Sequence, residues 1–222
     1  MRRVLLTTIS LLAFTVTGAL AADLPRGMPA KAPAYVPIGY NWTGFYLGIN
    51  GGYGWGRSNW SGFASSADPS GGMIGVTGGY NWQALGSPWV FGLEGDIDWS
   101  DMKGNFTNAA CPTGCETKNT WLGTARGRVG YAFDRVMPYV TGGLAVGDIQ
   151  ANQGGFAGVH DTKAGWTVGA GIEAAIAGNW TAKVEYLHVD LGSVDCSAAA
   201  CSVPTSVGFQ SEVVRAGLNL RF

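Results

Sequence analysis

From Trp42 onward the chain alternates between apolar residues and small or polar ones with a period of two. In residues 44–56 the odd positions are Phe45, Leu47, Ile49, Gly51, Tyr53 and Trp55, and the even ones are Tyr46, Gly48, Asn50, Gly52 and Gly54. Successive strand side chains point to opposite faces, so such a segment is a two-faced β-strand. The pattern returns in residues 72–83, 89–100, 121–133, 139–148, 163–176, 180–190 and 210–222. Eight strands are therefore predicted. Each is as long as the ~9–11 residues that a tilted strand needs to cross a bilayer.

The joins select the architecture. Those near 84–88, 134–138 and 177–179 are short and carry turn residues such as Gly86, Pro88, Pro138, Gly178 and Asn179. Those near 57–71, 101–120, 149–162 and 191–209 read as long loops. Short turns alternating with long loops are the pattern of bacterial outer-membrane barrels. The expectation is an all-β fold: an eight-stranded, antiparallel, up-and-down transmembrane β-barrel over residues 44–222, with both termini periplasmic.

A soluble β-sandwich also alternates, and two features argue against it. Aromatic residues on the apolar face gather at strand ends. Trp82, Trp89, Trp180 and Phe222 lie near the short-turn end, and Trp55, Trp99, Trp121 and Trp166 near the long-loop end. Aliphatic residues fill the middle, which suits two membrane–water interfaces. The opposite face carries the charges: Glu94, Asp96, Asp98, Glu173 and Glu185 against Arg126, Arg128, Lys183, Arg215 and Arg221. An eight-stranded barrel is only wide enough inside for side chains to fill it. Charges there must be paired, because an isolated buried charge is too costly. The expected interior is largely plugged by paired charges, with inward glycines leaving some room for water.

Composition agrees. Charged residues are 13% of the chain, about half the usual share. The 14 basic and 15 acidic residues give no electrostatic case for nucleic acid. Arg2 and Arg3, the apolar run over residues 4–16 and Ala19-Leu20-Ala21 read as a signal peptide over residues 1–21. Pro25, Pro29, Pro33 and Pro37 mark residues 22–43 as an extended periplasmic leader.

Four stretches carry a family resemblance: Ala21-Ala22-Asp23-Leu24-Pro25, Asn41-Trp42-Thr43-Gly44-Phe45-Tyr46, Pro138-Tyr139-Val140-Thr141-Gly142-Gly143, and residues 214–222, which read VRAGLNLRF. With these the chain resembles the small "porin family" outer-membrane proteins of alphaproteobacteria, which share an OmpA-like β-barrel domain. The resemblance implies a surface protein that contributes to envelope integrity. Its implied partners are outer-membrane lipids and lipopolysaccharide. The terminal Phe222, with Leu220 and Leu218, is similar to the signal read by the barrel-insertion machinery. Some members are associated with haem binding or host interaction, and no motif here carries that over.

The remaining candidates are few. Cys111, Cys115, Cys196 and Cys201 are an even set in an exported chain and read as disulfides. Pairing 111–115 and 196–201 within loops is expected, with a cross-loop pairing as the alternative and a metal site disfavoured. His160, beside Asp161, reads as a solvated loop residue. His188 has outward parity near the outer rim, but the next outward residue is Asp190 and no Ser partners it. A catalytic pair is therefore not expected. The glycine-rich fragments lie inside strand patterns with no helix after them, so they are not phosphate loops. No cofactor is expected. The leading function is a structural barrel. A narrow channel is the runner-up, and haem or host-ligand binding through the loops is third.

Overall fold

The computed structural model describes residues 39–61, 65–108, 111–155, 158–197 and 204–222. The expected signal peptide, most of the leader, Cys201 and the side chain of Cys111 fall outside that description. Nine strands occur among the described residues: β1 (Gly44–Trp60), β2 (Ser65–Ala67), β3 (Ser70–Gln83), β4 (Trp89–Asn108), β5 (Cys111–Tyr131), β6 (Val136–Gln153), β7 (Val159–Ala177), β8 (Trp180–Cys196) and β9 (Thr205–Arg221). β1 pairs antiparallel with both β2 and β3, each strand from β3 onward pairs antiparallel with the next, and β9 returns to pair with β1 from Tyr46–Arg221 to Trp60–Val207. The sheet is thus a closed ring. β2 pairs only with the outer end of β1, so β2 and β3 together take one place and eight strands form the wall.

Closure satisfies the backbone hydrogen-bonding groups within the wall, which a bilayer demands of any sheet inside it. The outward side chains match: Leu47, Ile49, Ile74, Leu93, Ile97, Leu144 and Val184 are all exposed. Aromatic pairs bracket that band, with Phe45 against Tyr80 and Trp89 against Tyr131 near the short turns, and Trp99 in register with Trp121 at the other end.

The long joins expected from sequence are mostly strand. β4 runs for 20 residues and β5 for 21. At ~3.3 Å per residue and ~40° of tilt, 20 residues rise about 50 Å, roughly twice the ~25 Å apolar band of such barrels. The outer halves therefore stand in water, and there the alternation changes sides. Leu187, Val189, Phe209 and Val213 point inward and are buried, while Arg57, Lys103 and Gln210 point outward. A strand leaving the bilayer exchanges lipid for water outside, so its apolar residues move to the dry interior.

These outer walls are not uniform. β7 and β8 pair only as far as Trp166–Asp190, although both continue beyond it. A bulge interrupts β5 between Lys118 and Leu122. The Asp148 carboxylate spans it, accepting from the Thr120 and Trp121 amides at 2.7 and 3.0 Å and from the Thr120 hydroxyl at 2.7 Å.

Candidate functional site

The feature with chemistry in it is the lumen, and it is filled in layers. At the short-turn end, Trp42 is 1% exposed and packs with Val90, Met137 and Tyr139. Its amide donates to Gln83 Oε1 at 2.9 Å and its indole N–H to the Asp134 carbonyl at 3.1 Å. Residues 39–43 therefore belong to the barrel as its inner stopper, which moves the leader boundary expected after residue 43. Arg221 sits here too. It is half-buried, lies over the Tyr40 ring at 4.3 Å and donates to the Asn41 carbonyl. It was expected among the interior charges, but its strand has by then reached the mouth, where a backbone carbonyl and a ring face replace a carboxylate partner.

The other nine expected interior charges are buried together in the next layer. Arg126 donates to Glu94 at 2.5 Å, Asp96 at 2.8 Å and Glu185 at 2.7 Å. Arg215 holds Asp96 at 2.9 Å, Asp98 at 2.6 Å and Glu185 at 2.7 Å. Lys183 donates to Glu94 at 2.8 Å. Arg128 donates to Asn81 at 2.9 Å and lies between the Tyr46 and Tyr139 rings. It also meets Glu173 at 2.8 Å, without hydrogen-bond alignment. Five carboxylates thus share four cations through bonds that bridge β4, β5, β7, β8 and β9. Charged hydrogen bonds of this kind are worth more than neutral ones only while every partner stays in place.

Inward glycines do not leave water space here. A Cβ on Gly79 would lie 2.4 Å from the Tyr46 hydroxyl, and one on Gly171 2.6 Å from the Tyr139 hydroxyl. These glycines are the floors on which the two tyrosines lie, with their hydroxyls donating to Glu94 and Glu185.

Above the charges comes an apolar layer that sequence reading missed: Met73, Met102, Leu122, Ile149, Leu187, Phe209 and Val213 with their neighbours. Higher still, Trp60, Cys115, Ala151, Cys196 and Val207 close the outer walls against each other. The Trp60 indole donates to Thr117 across the interior at 3.1 Å. Cys115 and Cys196 lie on strand ends rather than in loops and are both disulfide-bonded. The signal for both layers is apolar residues at inward parity, some in the predicted strands, such as Leu122, Leu187 and Val213, and the rest in the segments read as long loops, such as Met102, Ile149 and Phe209.

The remaining candidates face outward. Trp55, Trp82, Trp89, Trp99, Trp166, Trp180 and Phe222 are exposed and Trp121 is half-buried. His160 is exposed on β7, 3.6 Å from Asp148. His188 Nδ1 lies 2.7 Å from Glu212, whose other oxygen accepts from Tyr186. Among the described residues no group of three or more His, Cys, Asp or Glu could hold a metal. No helix among them is long and apolar enough to cross a membrane, which says nothing of a barrel.

The family model for the outer membrane protein beta-barrel domain matches residues 9–222. The 31 kDa outer-membrane immunogenic protein of Brucella melitensis is 40% identical over 245 residues, covering 100% of both chains. The 25 kDa outer-membrane immunogenic protein of Brucella canis is 32% identical, covering 100% of this chain and 99% of that one. The 22 kDa outer membrane protein of Rhizobium leguminosarum bv. viciae is 33% identical, covering 99% and 100%.

Proposed function

The chain belongs to the family of outer-membrane proteins with a β-barrel domain, and from that premise we propose that it is a closed, structural barrel rather than a channel or an enzyme. The observation that carries this reading is the stacked filling of the lumen: an aromatic stopper, a network of buried ion pairs, an apolar layer and an outer cap. An open conduit needs a continuous wet path. Every level here is occupied by side chains, and two of the levels are apolar. The barrel contributes to envelope integrity by anchoring rigid walls in the outer membrane, with its short turns and both termini on the periplasmic side. Its outer walls present a polar surface, in keeping with relatives named for being immunogenic. The outward aromatic rows act as the two interfacial girdles.

The test is conductance. The purified protein is inserted into planar bilayers and voltage is applied. Insertion without discrete current steps is expected. Stable, ion-selective steps would favour the channel reading and sink this one.

A further inference from the structure

The ion-pair layer does not balance. Five carboxylates share four cations, and the surplus negative charge has an address. Glu94, Asp96, Glu173 and Glu185 have both oxygens within 2.9 Å of a donor. Asp98 Oδ2 accepts from Arg215 at 2.6 Å. Asp98 Oδ1 has no hydrogen-bond partner among the described residues, although the residue is fully buried.

The register sets its surroundings. Lys183, Gly217, Asn50, Gly75 and Asp98 form one inward row across β8, β9, β1, β3 and β4. A Cβ on Gly75 would lie 2.1 Å from Asp98 Oδ1, so the missing side chain leaves Asn50 and Asp98 facing each other. Asn50 is 3% exposed, and its Oδ1 and Nδ2 also lack partners among the described residues. The groups that meet the Asp98 carboxyl are Arg215 from β9, Asp96 from its own strand and the Asn50 amide from β1. On β5 the row continues as Leu122, which belongs to the apolar layer. The nearby cations Lys183 and Arg126 are engaged by Glu94, Asp96 and Glu185.

Three orphaned polar atoms and one unbalanced charge therefore meet at one place. A hard metal cation takes about six or more oxygen ligands, and only two oxygens are spare. Water would satisfy the atoms and leave the charge. A proton needs one oxygen to sit on and one to point at. A buried charge without a full partner is neutralised rather than kept.

We propose that Asp98 Oδ1 binds a proton and donates it in a hydrogen bond to Asn50 Oδ1, a buried proton site that makes the charged layer neutral. The inference rests on the closed-lumen reading, since water in a conduit would solvate an ionised Asp98. In the unfolded chain an aspartate is ionised above about pH 4. Folding then takes up one proton, so the folded state gains as pH falls toward that value and weakens as pH rises. Mild acid hardens the barrel.

The full chain is folded into phospholipid vesicles and titrated with urea at about pH 5 and about pH 6. The ratio of folded to unfolded wild type is expected to fall about tenfold over that interval relative to Asp98→Asn, which mimics the neutral acid. The two histidines titrate alike in both proteins and cancel. Should Asp98→Asn not fold, infrared spectra of the wild type with isotope-labelled aspartate decide. The band of a protonated carboxyl is expected at about pH 6, and Asn50→Leu should move it. Equal pH slopes, no such band, or a band indifferent to Asn50→Leu overturns the inference. Stability that follows sodium or potassium concentration rather than pH overturns it in favour of a metal ion. Discrete conductance steps in planar bilayers overturn the closed lumen together with it, whereas equal slopes without conductance overturn the proton site alone.

Discussion

At the scale of single residues, Arg215 has the most to lose by substitution. Its guanidinium contacts three carboxylates from two strands, all within 2.6–2.9 Å. It is sealed between the charged and apolar layers, where water cannot replace it. Arg215→Ala would strand Asp96, Asp98 and Glu185 with one fewer cation. Breaking a buried ion pair by removing one partner costs about 3–5 kcal/mol. The folded fraction in a urea titration, scored by gel migration without boiling, should shift by that amount. Arg215→Lys should recover only part, because an ammonium cannot fork to several carboxylates. A shift below about 1 kcal/mol would mean that the network is solvated after all.

At the scale of elements, the eight membrane strands were legible because lipid outside and charge inside make the two-residue rhythm unmistakable. Leu47, Ile49 and Leu93 against Asn50, Glu94 and Arg126 leave one choice of face. Their continuations were not legible. Leu191, Val194, Val207 and Phe209 break the expected polar parity, so residues 191–209 read as a loop although most of them are strand. The cause is a change of surroundings along one strand, which a single rule of sidedness cannot describe. The charge set was readable, apart from Arg221, whose end of β9 reaches the mouth. Asp148 was missed because its role depends on a bulge that no local pattern announces. That carboxylate holds together the two sides of an interrupted strand. Asp148→Ala should therefore loosen the outer ends of β5 and β6 while sparing their membrane halves. Hydrogen exchange should show the Thr120 and Trp121 amides losing protection by an order of magnitude or more, with Val129 and Val140 unaffected. Equal loss at all four would contradict a local role.

At the scale of the molecule, two stacked parts share the same strands: a ring in lipid and a pair of walls in water that close on Trp60 and Phe106. Cys115 and Cys196 belong to the second part. Peptide mapping without reductant is expected to recover linkages 111–115 and 196–201. Reduction should leave the heat-dependent gel shift of the ring intact while exposing the outer walls to protease. Loss of the gel shift on reduction would show that the ring depends on the cap, contrary to this division.

The exchange of sides at the outer girdle also fixes how deep the chain can sit. A shift outward by two residues would lift Ile97 and Val184 into water, and one inward would draw Arg57 and Gln210 into hydrocarbon. Each strand thus carries its own depth mark, and the eight marks must agree around the circumference. The protein is consequently matched to one bilayer thickness, and in a thicker membrane it would have to pinch the lipid around itself rather than ride up or down.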